Sequence, residues 1–115
     1  MSKITYDDVY ARELLQKLGI VPRYKGYQIV LSSLDCIADD EKSLTALKKE
    51  ICIPVSEKLR CGSATVEAGI RRSAERAWQC NAELLTQISP QQLNHRPSAR
   101  QFLEILYLAC CNIEA

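Results

Sequence analysis

Apolar residues recur at three- and four-residue steps through most of the chain, the spacing that places side chains on one face of an α-helix. The pattern predicts a first helix that is capped by Thr5 or Asp7 and ends at Gly19, where a left-handed terminating residue belongs. It predicts a second helix from about Tyr27 to Ala38. The amino-terminal third is therefore expected to be helical.

Two further helices follow from the same spacing. The acidic run Asp39–Glu41 suits the positive N-terminal end of a third helix that passes through Leu44 and Leu47 to Ile51. We prefer this interpretation to a metal or catalytic cluster. The apolar run that starts at Phe102 predicts a last helix packed into the core.

A helix-turn-helix is predicted over residues 54–79. Pro54 suits the first turn of a helix, because its missing amide hydrogen is not needed there, and a short helix follows as far as Arg60. Cys61-Gly62-Ser63 then breaks the helix. Ser63 or Thr65 is expected to accept the free amide hydrogens that open the longer second helix.

The longer helix has one apolar face and one polar face. The residues of the apolar face are predicted to pack against Val55 and Leu59 of the short helix, and we call this contact between the two helices the seam. On the longer helix its members are Val66, Ile70, Ala74, Ala77 and Trp78. The opposite face carries short, hydrogen-bonding and basic side chains: Thr65, Glu67, Ala68, Arg71, Arg72, Glu75 and Arg76. Such a rod, about 22 Å long, fits the DNA major groove. The alternative is an ordinary helical hairpin whose charged face meets water.

The composition is that of one globular domain. With 115 residues, 47% of them hydrophobic and 25% charged, the chain matches a single domain over residues 1–115. The net charge is only +1, but residues 41–80 hold eight Lys and Arg against five Asp and Glu, so the positive excess coincides with the helix-turn-helix. No apolar run approaches the roughly 20 residues that cross a bilayer, and no signal-peptide core opens the chain. We therefore expect a cytoplasmic protein without membrane contact.

The residue pattern gives no support to catalytic, metal or disulfide chemistry. The six cysteines lie in periodic helical segments without a secretory signal, so reduced and mostly buried thiols are expected. A zinc site would need Cys pairs two to four residues apart, whereas the only close pair, Cys110-Cys111, is adjacent and the one histidine, His95, is isolated. His95 also lacks an evident Ser or Asp partner. We expect no enzyme, no metal and no cofactor.

Four stretches, in order along the chain, match one known pattern: Gly19–Tyr27, Ile53–Leu59, Val66–Trp78, and Arg96-Pro97-Ser98 followed by Phe102. Through them the sequence resembles, from about Leu14 to Ile113, the C-terminal effector domain of stage-zero sporulation protein A, the response regulator that starts endospore formation. The resemblance implies an all-α fold, a compact bundle of about six helices of winged-helix-like or response-regulator effector type. It also implies double-stranded DNA as the partner, with two copies in tandem.

Two departures from that family stand out. Arginines that read base edges in the family match Thr65 and Ala68 here, and only Glu67 is kept from that cluster. Because an arginine bidentate to guanine is worth about 1–3 kcal/mol of discrimination, recognition of the family's usual operator is expected to change or to be lost. The residues ahead of Leu14 also cannot form the family's receiver domain, so control by phosphorylation within this chain is not expected.

Two functions remain open at this point. The first is a DNA-binding transcription regulator with altered base specificity. Its predicted DNA-contacting residues are Ser63, Thr65, Glu67, Ala68, Arg71, Arg72, Arg76, Arg96 and Ser98. The second is a degenerate effector domain that acts as an interaction module or antagonist, pairing with a full-length sporulation regulator or with a second copy as a homodimer. The three arginines Arg71, Arg72 and Arg96 favour the first, whereas Thr65 and Ala68 favour the second.

Overall fold

The computed structural model describes residues 3–114. The elements follow in the order β1 (Lys3–Tyr6), α1 (Asp8–Lys17), α2 (Gly26–Asp39), a 3₁₀-helix (Glu41–Ala46), a π-helix (Leu47–Cys52), α3 (Ile53–Leu59), α4 (Ser63–Ile88), α5 (Ala99–Ala109) and β2 (Cys111–Glu114). The fold is all-α in class, which confirms the expectation, with a two-stranded ribbon that the sequence pattern did not predict. No helix in the described range is both long enough and apolar enough to cross a membrane.

Several helix ends lie where the sequence predicts them. Asp7 is the N-cap of α1, and its carboxylate accepts a hydrogen bond from the N–H of Tyr10 at 3.1 Å. Gly19, just after α1, has a φ of +84°, the left-handed conformation predicted for it. The cap of α5 was not predicted: Ser98, expected only to contact DNA, accepts through its Oγ from the N–H of Gln101 at 3.2 Å in a capping box.

The expected third α-helix is wrong in type: the segment is a 3₁₀-helix followed by a π-helix. Asp40 does cap it, accepting from the N–H of Lys42 at 3.0 Å. Pro54, in the first turn of α3, has no N–H to donate to the carbonyl four residues earlier. In the π-helix each hydrogen bond spans five residues instead of four, and the N–H of Ile53 donates to the carbonyl of Lys48.

One cluster of buried apolar side chains joins all five α-helices. The last helix contributes Phe102, Leu103, Ile105 and Leu106, each 2% exposed or less, which confirms its predicted place in the core. The exception is Leu108, which is 48% exposed.

Helix α2 packs closely against α4 because glycines line the contact. A methyl group at Gly69 of α4 would lie 2.6 Å from Cδ1 of Ile29, and one at Gly26 of α2 would overlap Oγ of Ser73. Non-bonded carbon atoms pack at about 3.5–4.0 Å, so a side chain at either position would force the neighbouring side chain to shift. The first turn of α2 is therefore held directly beside the middle of α4.

The ribbon joins the two ends of the described chain. β1 and β2 pair antiparallel, with Tyr6 opposite Cys111. The N–H of Asp7 extends the pairing by donating to the carbonyl of Cys110 at 2.8 Å. The rings of Tyr6 and Tyr107 stack at a centroid distance of 5.8 Å. These contacts tie the start of α1 to the end of α5.

Candidate nucleic-acid interface

Helix α3, a tight turn and α4 occupy the segment for which a helix-turn-helix is predicted. Helix α3 ends at Leu59 and is followed by its C-cap Arg60, whose φ of 56° and ψ of 50° are left-handed. Gly62 is the N-cap of α4, and its carbonyl accepts from the N–H of Thr65 at 3.0 Å. The predicted capping by the Ser63 or Thr65 side chain is wrong, because the left-handed turn at Arg60 lets the helix begin earlier and places both residues inside it.

Helix α4 is regular from Ser63 to Cys80 and then changes direction. At Asn81 the backbone leaves helical geometry, with φ −157° and ψ 64°. The side-chain oxygen of Asn81 accepts from the N–H of Leu84 at 3.1 Å, and its amide nitrogen donates to the carbonyl of Lys17 at 3.2 Å. The regular part spans about 27 Å. Its end agrees with the predicted end near residue 79, but a further helical segment, as far as Ile88, was not predicted.

The two faces of α4 are the predicted ones. The seam residues Val66, Ile70 and Ala77 have no exposed surface, while Trp78 is half-buried. On the opposite face the side chains of five predicted DNA-contacting residues are exposed: Thr65, Glu67, Arg71, Arg72 and Arg76. Ser63 and Ala68 are half-buried. The exposed face forms a ridge along the surface.

Arg76 lies at the edge of this ridge and bonds within the protein. Its Nε donates to the carbonyl of Gly19 at 2.5 Å, and its guanidinium carbon lies 4.9 Å from the ring centroid of Tyr24. The side chain thus ties α4 to the segment between α1 and α2 by a hydrogen bond and a cation–π contact. Arg76 is exposed, and one of its five N–H donors, that of Nε, is used within the protein.

Arg96 lies in the segment before α5 and reaches α4. Its Nη1 is 2.9 Å from Oε2 of Glu75, and the two side chains are about half exposed, at 50% and 44%. Ser98, two residues later, uses its hydroxyl to cap α5. Nδ1 of His95 lies 2.9 Å from the backbone carbonyl oxygen of Arg96. The loop that carries two predicted site residues is thus fixed against the ridge.

A groove borders the ridge on each side. The first, which we call the α5 groove, lies between Glu67 and Arg71 of α4 and the segment 95–101, and has a volume of about 510 Å³. The second, the α2 groove, lies between the other side of α4 and the start of α2 with the two residues before it, Tyr24 and Lys25, and has a volume of about 160 Å³. A further cavity of about 360 Å³ continues the α2 side along α4 past Arg72.

Two basic residues that the sequence analysis did not select also line these grooves. Lys25 lies in the α2 groove and Arg100 in the α5 groove. With them, the residues that line the three cavities include six Lys and Arg: Lys25, Arg71, Arg72, Arg76, Arg96 and Arg100. The acidic ones are Glu67 and Glu75. This face therefore has an excess of four positive charges, although the whole chain has a net charge of +1.

The face resembles a polyanion-binding surface more than a metal or catalytic site. Within residues 3–114, no three or more His, Cys, Asp or Glu side chains are grouped where they could hold a metal ion. An exposed helical ridge with basic residues on both flanks has instead the shape and charge of a surface that enters a groove of duplex DNA.

A comparison with known protein families agrees with this geometry. Residues 11–109 match the family described as "Sporulation initiation factor Spo0A C terminal". The match includes α1 to α5 except for the first turn of α1, and therefore both grooves and the whole ridge. Members of this family are DNA-binding effector domains of sporulation regulators and not enzymes. This chain therefore belongs to the family of sporulation initiation factor Spo0A C-terminal domains.

Proposed function

We propose that this chain regulates transcription in the cytoplasm by placing α4 in the major groove of double-stranded DNA. The observation that carries the proposal is the exposed ridge of α4, which lies between two grooves lined with basic residues. An α-helix with its side chains is about 10–12 Å in diameter, and the major groove of B-DNA is about 12 Å wide. The ridge fits that groove without rearrangement of the fold.

Bases are read by residues on the ridge, with a choice that differs from that of the family. Thr65 and Ala68 occupy the positions at which the resemblance places base-reading arginines, so neither offers a guanidinium to guanine. Glu67 is exposed and accepts a hydrogen bond from a cytosine amino group, while the methyl groups of Thr65 and Ala68 meet thymine methyls. Loss of two bidentate arginine contacts, each worth about 1–3 kcal/mol, removes most of the preference for the family's operator.

Phosphate contacts provide the affinity. Arg71 and Arg72 are exposed on opposite sides of the ridge: Arg71 faces the α5 groove and Arg72 the α2 groove. Arg96 supplies a third contact when its ion pair with Glu75 opens or is shared with a phosphate. An ion pair of this exposure is worth about 0–1 kcal/mol, which a phosphate contact readily replaces. The resemblance to the family also implies that two copies bind in tandem on one DNA site.

A fluorescence-anisotropy titration tests the proposal. The wild-type chain is titrated with a random-sequence duplex at several salt concentrations, and a selection from a random pool follows. The expected result is a steep decrease of affinity with salt and enrichment of a short motif that differs from the family's operator. Replacing Arg71 and Arg72 together by Ala is expected to lower the salt slope by about 1.8, because two phosphate contacts are lost.

The matched control removes two positive charges from α1. Arg12 and Lys17 are exposed on α1, which lines none of the three cavities, so Arg12→Ala/Lys17→Ala has the same net charge as the Arg71/Arg72 variant. It should bind DNA with a slope close to that of the wild type. Equal losses in the two variants would show a non-specific charge effect and would contradict the proposed interface.

The substitutions at Thr65 and Ala68 also favour a second candidate function. In it the chain keeps the fold but no longer reads bases, and pairs with a full-length sporulation regulator or with a second copy of itself. This candidate predicts no binding to any duplex at low salt, together with a stable complex between the purified chain and a full-length regulator. Enrichment of a DNA motif by the wild-type chain would exclude it.

A further inference from the structure

We infer that Lys25 and Arg100 form a two-sided phosphate clamp, in which each contacts the backbone of a different DNA strand. This inference rests on the proposed insertion of α4 into the major groove. It adds two DNA-binding residues, one directly before α2 and one in the first turn of α5, and it assigns each of them to one wall of the groove.

The argument starts from the shape of DNA. The walls of the major groove are the phosphate backbones of the two strands, one on each side of an inserted helix. Because the helix nearly fills the groove, the phosphates of each strand lie beside it, over the protein surface that flanks the helix. In this chain those two flanks are the α2 groove and the α5 groove, so a cation in each groove faces a different strand.

Lys25 is placed on the α2 side by close helix packing. A side chain at Gly26 would force Ser73 of α4 to shift, so Lys25, the preceding residue, lies immediately beside α4. It lines the α2 groove next to Thr65 and also a neighbouring cavity of about 230 Å³. Neither cavity is lined by an acidic residue. The ammonium group therefore has phosphate as its natural counterion when DNA is bound.

Arg100 is placed on the α5 side by the start of α5. Pro97 is buried and Ser98 caps the helix, so the first turn of α5 is fixed in orientation. Arg100 is exposed on that turn and lines the α5 groove together with Arg71. Among the described side chains, those of residues 5–111, neither Arg100 nor Lys25 forms an ion pair, whereas Arg96 is paired with Glu75. Both clamp residues are thus free for phosphate.

The first test compares salt slopes on a random-sequence duplex. Lys25→Gln and Arg100→Gln are each expected to lower the slope of log K against log salt by about 0.9, which corresponds to a roughly eightfold loss of affinity at about 0.1 M salt. The double variant should lose about 1.8 in slope and roughly 60-fold in affinity. Lys17→Gln and Arg12→Gln on α1 are the matched controls and should leave the slope unchanged. Lys25→Arg should retain it.

The second test assigns the strands. Phosphate-ethylation interference on the motif selected by the wild-type chain should identify phosphates on both strands whose ethylation prevents binding. Lys25→Gln is expected to remove interference at the phosphate beside the α2 groove on one strand, and Arg100→Gln at the phosphate beside the α5 groove on the other. Interference at the phosphates that Arg71 and Arg72 contact should remain. Loss on the same strand in both variants would overturn the clamp.

The two proposals fail in distinguishable ways. If Arg71→Ala/Arg72→Ala weakens binding while Lys25→Gln and Arg100→Gln behave like the wild type, the clamp is wrong and the proposed function stands. If the wild-type chain binds no duplex at low salt, both are wrong.

Discussion

Replacing Gly69 by alanine tests the close packing of α2 on α4, which positions the α2 groove beside the ridge. The new methyl group would lie 2.6 Å from Cδ1 of Ile29, 3.4 Å from its Cγ2 and 3.7 Å from its Cβ. Ile29 is 5% exposed and packed in the core. The conflict is therefore with one terminal methyl group of one side chain, which makes it removable by a second substitution.

The expected magnitudes follow from this geometry. Alanine in place of glycine within a helix gains about 1 kcal/mol in propensity, and overpacking costs about 1–3 kcal/mol, so Gly69→Ala should lower the free energy of unfolding by roughly 0–2 kcal/mol. Ile29→Val deletes Cδ1 and costs about 0.5–1.5 kcal/mol in the wild type. In the Ile29→Val background the overlap is gone, so Gly69→Ala should stabilise by about 1 kcal/mol. The coupling energy is thus about 1–3 kcal/mol.

Urea unfolding of the four proteins of this double-mutant cycle, followed by far-UV circular dichroism, measures the coupling. Ile37→Val is the matched control for Ile29→Val, because it lies about 12 Å further along α2 and is also fully buried. Its coupling with Gly69→Ala should be within about 0.5 kcal/mol of zero. Additive effects in the Gly69/Ile29 cycle would refute the close α2–α4 contact.

Three further predictions concern the ion pair between Arg96 and Glu75, the left-handed turn at Arg60 and the buried thiol of Cys110 at the end of α5. Glu75→Gln should raise DNA affinity several-fold in the anisotropy titration, since it releases Arg96 and removes a negative charge beside the phosphates; a decrease would show that Glu75 holds Arg96 in its binding position. Arg60→Gly should be neutral or stabilising by up to about 1 kcal/mol in thermal unfolding, whereas Arg60→Val should destabilise by about 1 kcal/mol or more, because left-handed backbone is costly for a β-branched residue; equal stabilities would contradict the left-handed turn. Burial, and then nearby negative charge, raises the pKa of Cys110 from 9.0 to about 12, so the neutral thiol stabilises the fold below about pH 9 and this contribution is lost as the pH rises toward 12. The free energy of unfolding of the wild type should therefore fall by about 1 kcal/mol between about pH 7 and pH 10, and that of Cys110→Ala should fall less. An equal fall in both proteins would contradict the buried position of the thiol.

The sequence pattern predicted the helices whose ends are set by local chemistry. Asp7, Gly19 and Pro54 act on their immediate neighbours, so their effects follow from residue type and spacing. The 3₁₀ and π segments were not predictable in this way, because the same apolar spacing suits an α-helix. The interruption at Asn81 was not predicted either, since it depends in part on a bond to the carbonyl of Lys17, 64 residues away.

The ridge itself was predictable, but its surroundings were not. The seam through Val66 and Ile70 fixes which face of α4 is exposed, and helical periodicity alone gives that face. Which other elements flank the ridge depends on tertiary packing, so Lys25 and Arg100 were missed. One signal in the sequence could have pointed to Lys25: it directly precedes Gly26, and a glycine at the start of a helix indicates a close approach to another helix.

An NMR titration of the isotope-labelled chain with the selected duplex, at low salt, tests the central claim most directly. Amide signals of residues 63–76 on α4, together with those of Lys25 and Arg100 on its flanks, are predicted to shift in proportion to bound DNA, while signals of α1 stay in place. Shifts confined to α1 or the ribbon, or no shifts at saturating duplex, would contradict the assignment of α4 as the DNA-binding helix.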